Sequence, residues 1–182
     1  MNNRYTAVAI ALHWLIALAI LCNFALGLYM ADLPISPAKL RLYSYHKWIG
    51  VTIFLLVLIR IAWRLTHPAP TLPASIPAWQ RIAAGASHTG LYLLTLAVPL
   101  AGWLFSSASG FQTVYLGLMP IPDLVDKDRA AADALKAAHW YLNLTMAAVV
   151  ALHVAAALKH HFHDRDDVLA RMLPLIRPKG KT

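Results

Sequence analysis

The chain has 182 residues, of which 59% are hydrophobic and 13% are charged, and its mean hydropathy is +0.56. Soluble domains have about 45–50% apolar and about 25% charged residues, so this composition indicates an integral membrane protein. The formal net charge is +8, but no basic run is interleaved with aromatic residues, so we predict no nucleic-acid partner. The single cysteine, Cys22, excludes an intrachain disulfide framework, a cysteine-based cluster site and covalent haem attachment of the usual c type.

Four stretches are long and apolar enough to span a bilayer, which needs about 20 residues per helix. They are residues 5–30, 45–63, 82–105 and 135–158. Arg4 precedes the first stretch, as in a signal peptide, but the apolar run is long and no small-x-small cleavage pattern follows it. We therefore expect the first stretch to be a retained membrane helix in contact with lipid.

Proline-rich connections separate the first three spans. The segments ADLPISPAKLRL and THPAPTLPASIPAW are expected to stay extended rather than helical. The third connection, residues 106–134, is longer; we expect it to cap the outer end of the bundle and to continue as helix into the fourth span. The sequence thus predicts one all-α domain, residues 1–182, built as an up-down-up-down membrane bundle with a short basic tail at 159–182.

Basic residues predict the orientation of this bundle, because cytoplasmic loops carry an excess of lysine and arginine. With the N-terminus inside, ten basic residues lie on the inner side and six on the outer side, beside five of the eight aspartates. Both termini are therefore expected to face the cytoplasm. The inner residues are Arg4, Arg60, Arg64, Arg81, Lys159, Arg165, Arg171, Arg177, Lys179 and Lys181; the outer ones are Lys39, Arg41, Lys47, Lys127, Arg129 and Lys136.

Histidines in the predicted spans are the candidate functional residues. His139 and His153 are fourteen residues apart, which places them about 21 Å apart along one helix and within about 40° of the same face. On the outer side, His46 is the other embedded histidine, so we expect it to pair with His139. On the inner side, His153 can pair with His13 or with His88.

Paired imidazoles inside a membrane favour a metal site, because an unsatisfied polar group in hydrocarbon costs several kcal/mol. Haem iron is the metal best suited to histidine alone. All eight acidic residues are aspartates in predicted loops or tails, which argues against di-iron carboxylate sites and proton relays. A single embedded histidine can instead bond to a neighbouring helix, and for His88 we favour that role or the lining of a quinone cleft.

The remaining histidines and one glycine have simpler interpretations. His67, His161 and His163 are expected to be solvated or interfacial, whereas His160 is a possible substrate-site residue. Gly50 lies one helical turn after His46, and it leaves room either for a flat cofactor or for helix packing.

Three motifs carry a resemblance to a known family. LHWLIALAI in the first span, HKWIGVTIFLLVLIRIAWR in the second and HWYLNLTMAAVVALHVAAALKHHF in the fourth resemble the bacterial cytochrome b561 family. These are small di-haem membrane cytochromes related to the membrane subunits of nickel–iron hydrogenases. The resemblance implies two non-covalent b haems, with His13 and His153 as axial ligands of the inner haem and His46 and His139 as axial ligands of the outer haem.

The implied function is single-electron transfer across the bacterial inner membrane, because two histidines per iron leave no open coordination position. The expected reactants are ubiquinone or another quinone and a small periplasmic donor or acceptor, with superoxide proposed for some relatives. For the haem propionates, Arg60 and Arg64 are the inner candidates. On the outer side the candidates are Arg41, Tyr45 and Lys47.

Two other functions remain open from the sequence. The chain can be the electron-transfer anchor of a larger periplasmic dehydrogenase or hydrogenase, which requires a partner redox protein. It can also be a histidine-based metal transporter, which would purify as a colourless protein.

Overall fold

A computed structural model describes residues 4–71 and 76–173. Each of its four long helices is long and apolar enough to cross a membrane, which confirms the predicted all-α bundle of four spans. The helices are α1 (Ala7–Ala31), α2 (Pro37–Thr66), α3 (Ala78–Ala108) and α4 (Arg129–Lys159). Two short strands, β1 (Val114–Tyr115) and β2 (Met119–Pro120), pair antiparallel between α3 and α4. The basic residues at 177, 179 and 181 of the predicted tail lie outside the described residues.

Side-chain caps set where three of the helices begin. The side chain of Thr6 accepts from the backbone N–H of Ala9 at the start of α1, and the side chain of Asp128 accepts from that of Ala131 at the start of α4. Ser36 caps α2, and Pro37 occupies its first turn, where a missing N–H costs nothing. The expectation that this connection is extended throughout is therefore wrong, and α2 begins eight residues before the predicted start of the span. His46 consequently lies within α2 and not at its opening.

The helices alternate in direction, as side-chain contacts at one end of the bundle demonstrate. Trp63 near the end of α2 donates from Nε1 to Thr6 Oγ1 over 2.9 Å. Trp14 in α1 donates to the carbonyl of Met172, beyond α4, over 2.8 Å. We call this the terminal end of the bundle, and we call the opposite end, which carries the two strands, the hairpin end.

The segment between α3 and α4 folds across the hairpin end, as expected for a cap. Helix α3 closes with Gly110 at a φ of 74°, and its last carbonyls at Ser106 and Ser107 accept from Phe111 and Gly110. Trp48 in α2 then donates to the carbonyl of Val114 over 2.7 Å. These bonds hold β1 against α2.

Packing between the helices is uneven. Helix α1 packs on α2, α2 on α3 and α3 on α4, whereas in the described part of the chain α4 makes no comparable contact with α1 or α2. The apolar core is a small cluster of Ile16, Ile53 and Val57 between α1 and α2. Many other large apolar side chains on the helices are exposed, as suits a surface covered by lipid. The face of α4 that looks towards α1 and α2 is where its histidines lie.

Candidate functional site

At the hairpin end, His46 on α2 faces His139 on α4. Their ring centroids are 6.3 Å apart and their planes are perpendicular, at 90°. Two imidazoles on opposite sides of one metal ion, with metal–nitrogen bonds of about 2 Å and ring radii of about 1.1 Å, would have centroids about 6 Å apart. The spacing of this pair therefore fits one metal ion held between the rings.

At the terminal end, His13 on α1 faces His153 on α4 with the same centroid separation of 6.3 Å and an interplanar angle of 68°. His88 on α3 also lies beside His153, with centroids 5.4 Å apart. Both partners that the sequence left open for His153 are thus present, but His13 has the spacing found at the hairpin end.

His139 makes a hydrogen bond that defines which of its nitrogens is free. Its Nδ1 lies 3.0 Å from the backbone carbonyl of Val98 on α3. A carbonyl only accepts, so Nδ1 carries the hydrogen and Nε2 keeps its lone pair. Metal-ligating histidines usually have such a second hydrogen bond. His46 differs, because its Nδ1 is buried without a hydrogen bond of good geometry, although the backbone of Asn23 lies beside it.

Cationic side chains surround the terminal-end histidines. Arg60 donates from Nη1 to the carbonyl of Ala9 over 2.8 Å, and its guanidinium carbon lies 6.0 Å from the centre of the Tyr92 ring. Arg64 lies over the ring of Tyr5 at 5.9 Å. Arg60 and Arg64 therefore both lie at the terminal end of the bundle.

Arg171 is a further cation, for which the sequence predicted only a place in the basic tail on the inner side. Its side chain is buried, with 6% of the residue exposed, and it donates from Nη1 to the carbonyl of Thr71 over 2.7 Å. Among the residues that the structure describes, its buried Nε has no hydrogen-bond partner. The chain reverses after α4 through Arg165, which has a φ of 55°, and this reversal carries Arg171 back onto the bundle. No helical spacing signals such a return.

A cavity of about 180 Å³ opens at the hairpin end between α2 and the segment that follows α3, and His46 is not among its lining residues. Lys47, the next residue, lines it and donates from Nζ to the carbonyl of Phe111 over 2.9 Å. The other lining residues are Ser44, Trp48, Gln112, Thr113, Val114 and Gly117. A small polar or anionic molecule would meet the Lys47 ammonium here.

The remaining histidines lie outside the two facing pairs. His67 stacks on Trp63 at the end of α2, with ring centroids 3.9 Å apart. His160 binds Asp166 over 2.6 Å in a short π-helical turn that follows α4. His163 is exposed and His161 is half-buried in the same turn. His160 therefore belongs to a polar turn at the terminal end, bonded to a carboxylate.

The donor set fits haem b. Two pairs of inward-facing imidazoles span the space that α4 leaves open towards α1 and α2. In one of these rings the hydrogen bond at Nδ1 leaves Nε2 free to bind iron.

Comparison with known proteins gives a consistent result over nearly the whole chain. The family model described as prokaryotic cytochrome b561 matches residues 4–175. Cytochrome b561 homolog 2 of Escherichia coli K12 is 36% identical over 172 residues, which cover 94% of this chain and 92% of that protein. The probable superoxide oxidase CybB of Yersinia pestis is 29% identical over 187 residues, covering 96% and 98%. Cytochrome b562 of Cereibacter sphaeroides is 29% identical over 178 residues, covering 93% and 94%. The resemblance carried by the three motifs is confirmed.

Proposed function

Because the chain belongs to the prokaryotic cytochrome b561 family, we propose that it is a di-haem cytochrome exchanging electrons between the quinone pool and a small periplasmic reactant. As a member of this family, the chain is a multi-pass protein of the bacterial inner membrane and transfers electrons with haem b. The haem count, the ligands and the reactants are the proposal.

The observation that carries the proposal is the equal spacing of two histidine pairs. His13 with His153, and His46 with His139, each have ring centroids 6.3 Å apart. The two members on α4 are fourteen residues apart, a rise of about 21 Å along the helix. We infer that each pair holds one haem iron, one haem near each membrane surface. Such a haem supplies reversible one-electron chemistry without an open coordination position.

Arginine side chains are suited to hold the carboxylates of a haem at the terminal end. Arg60 and Arg64 approach from α2, and Arg171 brings a buried guanidinium with an unpartnered Nε. A charge-assisted hydrogen bond to a carboxylate would satisfy that nitrogen. These residues would neutralise the propionates and fix the cofactor's rotation about the iron axis.

Different residues suit the two reactants. His88 and Ser87 are candidates to hydrogen-bond a quinone oxygen at the terminal end. The buried Oγ of Ser87 has no hydrogen-bond partner in the described part of the chain, and His88 lies beside His153. At the hairpin end, the cavity beside Lys47 suits a small anion, and one relative is a probable superoxide oxidase. Two superoxide anions would each give up one electron and leave as O₂, while one quinone takes up two electrons and two protons.

Membership of this family favours electron transfer over the metal-transporter alternative. The test separates a cytochrome that reduces quinone by itself from an anchor subunit that needs a partner redox protein. Detergent-purified protein is assayed for haem by the pyridine haemochrome method and is then exposed to superoxide in the presence of a water-soluble quinone. Two b haems per chain and direct quinone reduction are expected. One haem per chain would overturn the di-haem proposal. Two haems that only a co-purifying redox protein can reduce would establish the anchor-subunit function instead.

A further inference from the structure

Two glycines lie directly against the histidines of the hairpin end. A Cβ added at Gly102 on α3 would lie 3.0 Å from Cε1 and 3.3 Å from Nδ1 of His139. A Cβ added at Gly27 on α1 would lie 3.2 Å from Cε1 and 3.6 Å from Nδ1 of His46. In both pairs the Cε1–Nδ1 edge of the imidazole ring therefore faces a glycine of a neighbouring helix. Any larger residue at that position would push the ring away from that helix.

The position of each glycine relative to a backbone carbonyl is also the same. Val98, whose carbonyl accepts from His139 Nδ1, stands four residues before Gly102. Asn23, whose backbone lies beside His46, stands four residues before Gly27. In an α-helix, residues i and i+4 lie on one face, so a side chain at i+4 crowds the approach to the carbonyl of residue i. Glycine leaves the second lone pair of that carbonyl open to an outside donor.

We propose that Gly27 and Gly102 are positioning residues for the two rings. Gly102 lets His139 donate from Nδ1 to the carbonyl of Val98. Gly27 leaves the same room for His46, whose Nδ1 has no hydrogen-bond partner among the described residues, to donate to the carbonyl of Asn23, so that both Nε2 atoms would face one iron. The inference rests on the proposed function, since haem ligation is itself proposed. It also accounts for glycine within two helices, where alanine is intrinsically more favourable. Among the described glycines, these two alone have a histidine within 4 Å of an added Cβ.

Matched controls exist on the same helix as Gly102. A Cβ added at Gly85 or Gly90 meets nothing within 4 Å, so alanine there changes helix propensity without touching a ring. The test compares Gly27→Ala and Gly102→Ala with Gly85→Ala and Gly90→Ala in the full-length purified protein. Haem per chain is measured together with the low-temperature electron paramagnetic resonance spectrum of the ferric haems.

Gly27→Ala and Gly102→Ala are expected to shift or remove one low-spin ferric signal, the one that His46→Ala also removes, and to leave the other signal in place. Both control variants should keep both signals and two haems. The inference would be overturned if Gly27→Ala and Gly102→Ala gave the same spectrum as the wild-type protein. It would also be overturned if Gly85→Ala and Gly90→Ala changed the spectrum as much as the two test variants did. If instead wild-type protein holds fewer than two haems, or His46→Ala and His139→Ala leave both signals, the proposed function itself fails.

A double variant separates ring displacement from misfolding. The His139→Ala variant lacks the ring that Gly102→Ala is expected to displace. The double variant should therefore give the same protein yield and the same remaining haem signal as His139→Ala alone. A further loss in that background would mean that Gly102 serves helix packing, and the inference would be overturned for that residue.

Discussion

His13 on α1 and His153 on α4 have ring centroids 6.3 Å apart, although the two helices themselves make no close packing contact in the described part of the chain. The pair thus bridges a space between helices instead of forming part of a packed core. A haem occupying that space would contact both rings and the apolar faces around them.

We expect the four candidate ligands to fall into two groups by which haem they hold. His46→Ala and His139→Ala should each lower the haem content from two towards one per chain and remove the same spectral component. His13→Ala and His153→Ala should remove the other component. His88→Ala is the control and should retain both haems, because His13 already has the spacing expected for a ligand opposite His153. Haemochrome assays and reduced-minus-oxidised spectra make the comparison.

His88 and Ser87 are expected to affect quinone turnover and not haem content. Losing one hydrogen bond to a quinone oxygen costs about 1–2 kcal/mol, so His88→Leu or Ser87→Ala should slow quinone reduction by about tenfold. His67→Ala is the matched control, because that ring stacks on Trp63. Stopped-flow reduction of a short-chain quinone measures the effect. An unchanged rate in both variants would place the quinone elsewhere.

Lys47 should accelerate the encounter with an anionic reactant. Removing its charge in Lys47→Gln is expected to lower the rate of haem reduction by superoxide several-fold at low ionic strength, and the difference should shrink as salt screens the charge. Lys136→Gln removes an exposed charge from the start of α4 and serves as the control. Equal rates for Lys47→Gln and wild type at low salt would contradict the assignment of the cavity.

Arg171 should stabilise the fold from beyond the last helix. Arg171→Ala removes a buried guanidinium that binds the Thr71 carbonyl, and a hydrogen bond from a charged group contributes about 1.5–3 kcal/mol. We expect a lower midpoint of thermal unfolding in detergent, followed by haem absorbance. Arg81→Ala, at an exposed position, should leave the midpoint unchanged. If Arg81→Ala lowered it as much as Arg171→Ala, a general effect of charge would be responsible.

Orientation is a separate prediction from the sequence, which places both termini in the cytoplasm. A green fluorescent protein fused after residue 182 should fluoresce, and an alkaline phosphatase fused there should be inactive. The opposite result would show that the termini face the periplasm, and the sides assigned to quinone and to the small reactant would then be exchanged.

Hydropathy was sufficient to find the four spans, and the pairing of His46 with His139 followed from which side each histidine lies on. The facing geometry agrees with that pairing, while ligation itself awaits the variants above. The start of α2 was missed because proline was taken to end helices, whereas after the Ser36 cap it begins one. Helical periodicity also could not find Gly27 and Gly102, because each lies on a different helix from the ring that it adjoins.

For Gly50, too, spacing along its own helix does not show which neighbouring helix it faces. Its spacing from His46 suggested room for a flat cofactor or for helix packing. In the structure, a Cβ at Gly50 would lie nearest to Asn23 Nδ2, at 3.8 Å, so this glycine faces α1, which favours helix packing.

The uneven packing of the helices has a consequence for biogenesis. Helices α1 with α2, and α3 with α4, form two hairpins that contact each other chiefly through α2 and α3. Each candidate ligand pair takes one histidine from each hairpin. A ligand that binds only the assembled form stabilises it in proportion to its concentration. Cofactor supply would then control how long newly inserted hairpins stay together. In a cell starved of haem, membrane proteases would lower the level of this protein before the level of its messenger RNA fell.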